Sequence, residues 1–457
     1  MRACFDLSTG RKRKHRSKPS PRPSPWVQGE GERGIVAEAT TTTAPTTTGS
    51  TTDLPAAAGG KPAKTKPFRK QPRYGEPEME QLKQVIAQGT LFYAHGKKVY
   101  ELEKAFAAKH GAPHAVAMTS GTAAIHTALM ATGISPGDEV ITAPITDAGT
   151  VLPILWQGAI PVFADLDGAT YNMDPKSVRA LVTPRTKAIL AVHLAGNACD
   201  LYALRDIADE HKIFLIEDCA QAHGAKYHGN AIGTIGQIGC FSYNEFKHIS
   251  CGDGGIAITD DPALAQKMRL ATDKGYNRAP GVQQRNTNFL AMNYRMTELQ
   301  GAVAIAQLNK LDSIVERRRT WCAGLTERLK GIEGIALPKV TEGCDPTWWF
   351  YMVRVIPSVL KANADQFVAA MKAEGVPLGA HYIGRPVYHY PVFQEHTAFV
   401  RGEHPFKARD YSKENCPEAE AILDTCVMLS INESFDEQDL EETATAFHRA
   451  ARYLRTK

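Results

Sequence analysis

A lysine between two predicted strands is the residue of this chain best suited to covalent chemistry. Lys247 lies in the stretch GCFSYNEFKHISCGDGG (Gly239–Gly255), after an apolar run and before a glycine-rich turn. An amine is nucleophilic only when neutral, and burial or nearby cations lower the pKa of a lysine toward that form. Its natural reaction is a Schiff base with a carbonyl, most often that of pyridoxal phosphate. On local grounds alone, a solvated surface lysine is the favoured alternative.

An apolar run that ends in two acids offers a partner for such a cofactor. The segment KIFLIEDCAQ (Lys212–Gln221) predicts a buried parallel strand with Asp218 at its carboxyl end. Open α/β sheets bind their ligands at this end of the strands. A carboxylate there can keep the pyridinium nitrogen of the cofactor protonated, which makes the ring an electron sink. The alternative interpretation is that Asp218 caps the next helix.

A third segment predicts a phosphate site. The strand-like run HAVAMT (His114–Thr119) is followed by Ser120-Gly121-Thr122 and then by a helical pattern over Ala123–Met130. Backbone N–H groups, a hydroxyl and the helix dipole converge at such a junction and favour an anion. An ordinary helix cap is the alternative for this tripeptide taken alone.

The order of these segments resembles that of the DegT/DnrJ/StrS-type sugar aminotransferases, which are fold-type-I pyridoxal-phosphate enzymes. The resemblance extends over roughly Tyr74–Leu454 and is specific because six segments match in order. The matching segments are Ser120–Leu129, Gly158–Asp167, Ala191–Gly196, Ile216–Ala225, Phe241–Asp261 and Asn293–Asp312. It implies transfer of an amino group from glutamate or glutamine to a keto sugar, nucleotide-linked in many cases, or to a keto-cyclitol.

The resemblance also implies roles for individual residues. Lys247 would hold the cofactor covalently and move protons, and Asp218 would pair with the pyridinium nitrogen. The remaining cofactor-binding residues implied are Gly121, Thr122 and Ser242 for the phosphate, Gln221 for the phenolic oxygen, and Asn293. Asn293 and Arg295 match a family motif that reaches the active site of the neighbouring subunit, which implies a homodimer with shared sites.

Asp147 departs from the family pattern, and His248 allows two interpretations. Asp147, in ITDAGT (Ile145–Thr150), stands where the family usually has an aromatic residue stacked on the cofactor ring. We expect Asp147 to contact the substrate, with helix capping as the alternative. His248 is a second candidate for substrate contact, although a packing histidine is the favoured interpretation.

The predicted fold class is α/β, with a large domain and a smaller C-terminal α/β domain. Alternating strand and helix patterns argue for a doubly wound, mainly parallel sheet over residues 73–315, which would bind the cofactor. Residues 316–457 would form the small domain. A single long helix is predicted over Asn293–Arg318, leading from one domain to the other.

The basic character of the chain is concentrated at its N-terminus. Residues 1–73 hold 15 Lys/Arg and five Asp/Glu, for a net charge of +10, whereas the remainder carries −6. Basic, proline-rich and threonine-rich stretches predict a disordered tail over residues 1–72. We therefore expect its removal to leave the enzyme unchanged. A tether to nucleic acid or an anionic membrane is the less favoured interpretation, so a nucleic-acid partner is not expected.

The cysteine content predicts a cytoplasmic protein. The nine cysteines show no C-x-x-C pair and no zinc spacing, so reduced thiols and no metal are expected. No run of about 18 apolar residues occurs, which argues against a membrane span.

Three functions stay open from the sequence. Transamination is the leading hypothesis. A pyridoxal-phosphate-dependent sugar dehydratase is less favoured, because dehydratases of the family replace the lysine by histidine. A non-catalytic pyridoxal-binding regulator is the third alternative, since a regulator could keep all cofactor residues.

Overall fold

The computed structural model describes residues 54–278, 289–398 and 409–457, together with Val282, Arg285 and Thr287. All described residues belong to one compact unit of the chain, Ser50–Lys457. The predicted tail over residues 1–53 therefore lies outside the described residues. In the described part of the chain, no helix has the length and apolar character that crossing a bilayer requires.

The strands of the described chain form three sheets. In order, they are β1 (His114–Met118), β2 (Glu139–Thr142), β3 (Ile160–Phe163), β4 (Thr186–Val192), β5 (Phe214–Asp218), β6 (Lys226–Tyr227), β7 (Asn230–Ala231), β8 (Ile238–Ser242), β9 (Gly255–Thr259), β10 (Ile335–Ala336), β11 (Cys344–Asp345), β12 (Phe350–Val355), β13 (Gly379–Ala380) and β14 (Cys426–Ser430).

The largest sheet has seven strands in the order β1-β9-β8-β5-β4-β2-β3. The pairs from β3 to β8 are parallel, and β9 is antiparallel to both of its neighbours. Consecutive residues of its strands belong to different cores: Leu215 packs in one apolar cluster and Ile216 in another. Both faces are therefore covered, which explains the continuous apolar runs of these strands and confirms the predicted mainly parallel sheet.

The helices cover the sheets and connect their strands. In order, they are α1 (Glu76–Gln88), α2 (Lys98–His110), α3 (Gly121–Thr132), α4 (Ala148–Trp156), α5 (Pro175–Leu181), α6 (Leu201–His211), α7 (Pro262–Thr272), α8 (Glu298–Leu308), α9 (Leu311–Leu329), α10 (Pro357–Leu360), α11 (Ala364–Ala373), α12 (Pro391–Gln394), α13 (Pro417–Thr425) and α14 (Glu437–Thr456).

A second core lies in the C-terminal part of the chain. There, the four-stranded sheet β10-β12-β14-β13 shares an apolar cluster with α9, α11 and α14. This arrangement agrees with the predicted α/β character of the C-terminal part of the chain. The exact domain boundaries at residues 72 and 315 stay predictions.

The predicted long helix Asn293–Arg318 is wrong, because the segment holds two helices and an extended start. Asn293 and Arg295 pair as isolated bridges with Asp273 and Met118. Helix α8 begins only after Thr297, whose hydroxyl accepts a hydrogen bond from the N–H of Gln300 in a capping box. The helix then breaks before α9. The apolar spacing seen in the sequence continues through the break and could not reveal it.

Residues 54–73 pack on the C-terminal part of the chain instead of forming a solvated tail. Lys64 is only 4% exposed, and its ammonium lies 2.5 Å from the carboxylate of Asp439 on α14. The Phe68 ring stacks on Phe435 with ring centroids 4.4 Å apart. These contacts correct the prediction of disorder for residues 54–72. An ion pair and an aromatic pair help to hold this segment. Its composition is poor in apolar residues and does not indicate these contacts.

This packing reverses the expected outcome of truncation. We expect a chain starting at residue 74 to lose about 3–5 kcal/mol of unfolding free energy, because buried carboxylates lose their partners. Asp439 loses Lys64, and the fully buried Glu374 loses the N–H groups of Ala56 and Ala63. Urea unfolding measures the loss. A chain starting at residue 54 keeps these contacts and is the control; equal stability of the two would contradict the prediction.

Candidate active site

Three segments meet at one end of the large sheet. Asp218 ends β5 and is paired in register with Cys240 of the neighbouring strand β8, which ends at Ser242. Gly255 begins β9 and pairs with both Ser242 and Met118. The predicted strand ends therefore lie side by side, and the Ser120-Gly121-Thr122 segment follows the end of β1 next to them.

Two glycines allow these segments to approach one another. A Cβ atom on Gly121 would lie 2.6 Å from the Cβ of Ser242, and one on Gly255 would lie 2.1 Å from the carbonyl oxygen of Ser120. Ser120 caps α3 by accepting a hydrogen bond from the N–H of Ala123 at 3.0 Å. The first N–H groups of the helix point out of its N-terminus, next to the Ser242 hydroxyl. This set of donors fits a phosphate group.

The Asp218 carboxylate is almost completely buried. Its oxygens accept hydrogen bonds from the Thr150 hydroxyl at 2.8 Å and from the N–H of Ala220 at 3.1 Å. Burial raises the pKa of Asp218, whereas these hydrogen bonds and the charge of Lys247 lower it. A buried carboxylate of this kind gains stability from an adjacent cation. The site therefore fits the protonated pyridine ring of pyridoxal phosphate.

The Lys247 amine is also buried, and it lies against an aromatic ring. Its residue is 9% exposed, and the Nζ atom lies 3.8 Å from the centroid of the Trp349 ring. Among the described residues, no hydrogen bond or ion pair of this amine is formed. Burial lowers the pKa of Lys247, and the charges of Asp147 and Asp218 oppose that shift. The amine is thus closer to its nucleophilic neutral form than a surface lysine is.

The turn that carries Lys247 is fixed from outside the sheet. The guanidinium of Arg73 donates a hydrogen bond to the backbone oxygen of Lys247 at 2.8 Å and a second to that of Glu245. The Trp349 indole N–H donates to the oxygen of Phe246 at 2.6 Å. Two segments far apart in the sequence therefore hold the turn, and neither was identified from the sequence.

Gln221 extends the site toward the C-terminal part of the chain. Its side-chain oxygen accepts a hydrogen bond from the N–H of Ala195 at 2.9 Å, and its amide donates to the Tyr382 hydroxyl at 3.3 Å. Tyr382 has a left-handed backbone (φ 40°), which costs energy for a residue with a bulky side chain. Such strain is common at functional sites. The sequence gives no periodic signal for this residue, and only its aromatic character could have suggested it.

Asp147 caps helix α4, which is the alternative to the predicted substrate contact. It precedes α4 and accepts a hydrogen bond from the N–H of Gly149 at 2.7 Å. Its carboxylate is exposed, and its charge opposes the lowered pKa of Lys247 and contributes to the raised pKa values of Tyr382 and Tyr390, after burial. Capping and a contact with the substrate are therefore compatible.

Replacing Asp147 with asparagine should lower the pKa of Lys247 further. The Asp147 charge raises that pKa, and asparagine removes the charge but caps a helix equally well. The measurement is the pH dependence of Lys247 labelling by an amine-reactive reagent in the cofactor-free protein. Asp253→Asn is the control, because Asp253 bonds to Asn244 on the same turn. An unchanged or raised pKa in Asp147→Asn would refute this electrostatic role.

The other predicted residues lie apart from the Lys247 amine. His248 is fully buried, and its Nε2 donates to the oxygen of Thr347 at 3.0 Å, so it is a packing residue and the predicted substrate contact is corrected. Arg295 lies 2.5 Å from the buried carboxylate of Asp273. Asn293 is exposed and pairs with Asp273, the residue that follows α7. Neither of these two side chains contacts Lys247 within the described chain.

A buried acid next to Asp218 has a purely structural environment. Glu217 accepts hydrogen bonds from the N–H groups of Gly233, Ile235 and Gly236, and it lies 3.1 Å from the Nε2 of His193. These donors satisfy its carboxylate completely. The two neighbouring acids of the strand therefore differ in function: one holds the loop before β8, and the other faces the site.

Comparison with known proteins agrees with this geometry. Residues 72–448 match the model of the DegT/DnrJ/EryC1/StrS aminotransferase family. The spore coat polysaccharide biosynthesis protein SpsC of Bacillus subtilis is 35% identical over 75% of this chain and 89% of its own length. GDP-perosamine synthase of Caulobacter vibrioides is 37% identical over 64% of this chain and 77% of its own.

A solved structure with a similar fold is that of 3-amino-5-hydroxybenzoic acid synthase. It has a TM-score of 0.76 and 30% identity, covering 86% of this chain and all of that one. The likeness confirms the predicted fold-type-I class, and the family is pyridoxal-phosphate-dependent, as the phosphate cradle and Asp218 indicate. The chain belongs to the DegT/DnrJ/EryC1/StrS aminotransferase family and is an aminotransferase that uses pyridoxal 5′-phosphate.

Proposed function

We propose that this aminotransferase moves an amino group from glutamate or glutamine to a nucleotide-linked keto sugar or a keto-cyclitol. The observation that carries the proposal is the buried Lys247 amine beside Asp218 and the phosphate cradle. The named relatives act in polysaccharide biosynthesis and in the synthesis of GDP-perosamine, which supports a sugar acceptor. The same reasoning places the enzyme in sugar and polysaccharide biosynthesis.

Each residue of the cofactor site has a separate task in this proposal. Bound pyridoxal phosphate supplies an electron sink that stabilises negative charge on the substrate carbon. Asp218 holds the proton on the pyridine nitrogen, and Gln221 donates to the phenolic oxygen. The Lys247 amine acts as the base that takes the proton from the substrate and returns it during transfer.

The phosphate is bound where the helix and two strands converge. The Ser242 hydroxyl and the N–H groups of Gly121 and Thr122 would donate to its oxygens, and the positive end of the α3 dipole would add to the attraction. The glycines let these segments approach closely enough to hold the donors together.

The acceptor side of the site is lined by an acid and aromatic rings. The charge of Asp147 acts on the amine of Lys247, and the Trp349 ring lies against that amine. Tyr382 is joined to the cofactor site through its contact with Gln221. Sugar hydroxyls can donate to the Asp147 carboxylate, while the apolar face of a sugar ring can pack on the indole. This combination suits a polyhydroxylated ketone.

We further propose a homodimer with shared active sites. Two arginines, Arg278 and Arg295, share the one buried carboxylate of Asp273, which leaves a net positive charge beside Phe92. Leu290 is 94% exposed in the same part of the chain. An apolar surface next to surplus positive charge suits a second copy of the chain, whose cofactor and substrate are anionic. Sedimentation velocity tests the predicted dimer.

A cytoplasmic location is part of the same proposal. The described cysteines are free thiols, and most are buried. Burial raises the pKa of thiols such as Cys219 and Cys240 and keeps them unreactive. Free thiols of this kind are typical of a reducing compartment.

A screen of donors and acceptors tests the reaction. The cofactor-loaded enzyme is mixed with glutamate or glutamine and with a panel of nucleotide-linked keto sugars and keto-cyclitols. Transamination replaces the carbonyl oxygen of an acceptor by an amine, and mass spectrometry detects the change. Loss of water from the sugar without gain of nitrogen would instead identify a dehydratase. No change with any donor would favour the regulator.

A further inference from the structure

Four polar side chains behind the Lys247 turn are fully buried and carry an atom without a hydrogen-bond partner in the protein. They are His223, Tyr243, His248 and Thr347, and the atoms are the two imidazole Nδ1 atoms and the two hydroxyl oxygens. About nine in ten buried polar groups in folded proteins are paired, and an unpaired one costs about 1–3 kcal/mol. Four such atoms in one region therefore require an explanation.

Three of these side chains have rings that lie close together, and the backbone of Thr347 contacts one of those rings. The His223 ring stacks on that of Tyr243 with centroids 5.7 Å apart, and the two histidine rings are 6.3 Å apart. His248 bonds to the backbone of Thr347 at 3.0 Å. The cluster therefore spans the strand end before Lys247, the residue after it, and the segment that leads to Trp349.

The protonation of both histidines follows from their other contacts. The Nε2 atom of His223 lies 2.7 Å from the oxygen of Ser242, and that of His248 bonds to Thr347. Carbonyl oxygens only accept hydrogen bonds, so both Nε2 atoms carry the hydrogen. Burial lowers the pKa of His223 to about 3 and that of His248 well below its usual range. Both rings are neutral, and each Nδ1 is a hydrogen-bond acceptor.

We propose that this cluster is a binding site for an ordered water molecule that positions the Lys247 turn. One water has two hydrogens to donate, matching the two Nδ1 atoms of His223 and His248. It has two lone pairs, matching the hydroxyl hydrogens of Tyr243 and Thr347. Two hydrogen bonds of about 2.8 Å that meet at a tetrahedral oxygen place the centres of two imidazole rings roughly 6 Å apart. The separation of the His223 and His248 rings agrees with this distance. Buried waters typically make about three such bonds.

The water adds a side-chain link between segments that bonds to the backbone, from His248 to Thr347 and from Trp349 to Phe246, already join. Tyr243 precedes the Lys247 turn, His248 follows it, and Thr347 lies two residues before Trp349, whose ring contacts the Lys247 amine. A bridge among these three segments fixes both the amine and the ring against it. The residues of the cluster are therefore positioning residues for Lys247 and touch no substrate.

Two substitutions that remove only a hydroxyl group test the site. Tyr243→Phe and Thr347→Val each remove one donor to the water, whereas Thr127→Val removes a buried hydroxyl that also lacks a partner but lies on α3, outside the cluster. We expect each cluster variant to lower the folded-to-unfolded ratio of the full chain about fivefold in urea titrations. Thr127→Val should leave the ratio unchanged or raise it, because no hydrogen bond is lost.

Lysine labelling and crystallography complete the test. If the water positions the turn, both cluster variants shift the pH dependence of Lys247 labelling, and Thr127→Val does not. A high-resolution crystal structure should show a water within hydrogen-bond distance of both Nδ1 atoms. The proposal is overturned if that position is empty, if anomalous scattering shows a metal there, or if the cluster variants match Thr127→Val in both stability and labelling.

Discussion

Lys247→Ala is expected to abolish amine transfer while the protein stays folded. The loss of the base alone should reduce turnover at least about a hundredfold. The fold should survive because the amine forms no hydrogen bond or ion pair in the described chain, and its burial is itself unfavourable. We therefore expect the unfolding free energy of the cofactor-free variant to equal or exceed that of the parent. Single-turnover assays with glutamate and urea titrations measure the two effects.

Two controls sharpen this experiment. Lys247→Arg keeps a positive charge but cannot form the covalent link, so it should be as inactive as the alanine variant. Lys226→Ala removes an exposed lysine of β6 and should be fully active. Near-normal turnover in Lys247→Ala would show that the catalytic lysine is elsewhere.

Asp218→Asn is expected to lose activity without losing stability. Asparagine has nearly the shape of aspartate and can still bond to Thr150 and to the N–H of Ala220. It cannot keep the pyridine nitrogen protonated, so turnover should fall about a hundredfold or more. The absorbance spectrum of the loaded variant and its single-turnover rate report the change.

The adjacent acid provides a matched control with the opposite result. Glu217→Gln leaves a buried amide facing three backbone N–H groups, so it should destabilise the protein by about 1–3 kcal/mol. Asp218→Asn should remain near the stability of the parent. If Asp218→Asn turned over normally, its carboxylate would have no role at the cofactor ring.

The cofactor side of the site could be predicted because its residues lie at strand ends. Asp218 and Ser242 end neighbouring parallel strands, and parallel strands bring their carboxyl ends to one edge of the sheet. The glycines at positions 121 and 255 mark the close approach of these segments. Local sequence patterns therefore contained most of the geometry that brings Lys247, Asp218 and the phosphate cradle together.

The contacts that hold the Lys247 turn could not be predicted in the same way. Arg73 and Trp349 reach it from about 170 residues before and 100 residues after in the chain, as the spacings of 174 and 103 residues in their hydrogen bonds show. Neither residue lies in a periodic pattern that points to this turn. Tertiary packing brings them there: Trp349 directly precedes β12, and the Arg73 carbonyl is held by Gln307 and Lys310.

The break between α8 and α9 and the packing of residues 54–73 escaped prediction for related reasons. Helical periodicity continues across Asn309 and Lys310, so an apolar pattern cannot distinguish one helix from two. In residues 54–73, stability depends on a few single contacts: the ion pairs of Lys64, one aromatic pair and two backbone hydrogen bonds to Glu374. Composition averages over such single contacts and therefore indicates disorder.

Borohydride reduction of the cofactor-loaded protein tests the central claim most directly. The purified protein should be yellow, with an absorbance band that shifts when glutamate or glutamine is added. Reduction followed by proteolysis and mass spectrometry should place the pyridoxyl group on the peptide that contains Lys247. A pyridoxyl group on another lysine, or a colourless protein that pyridoxal phosphate cannot reconstitute, would contradict the account.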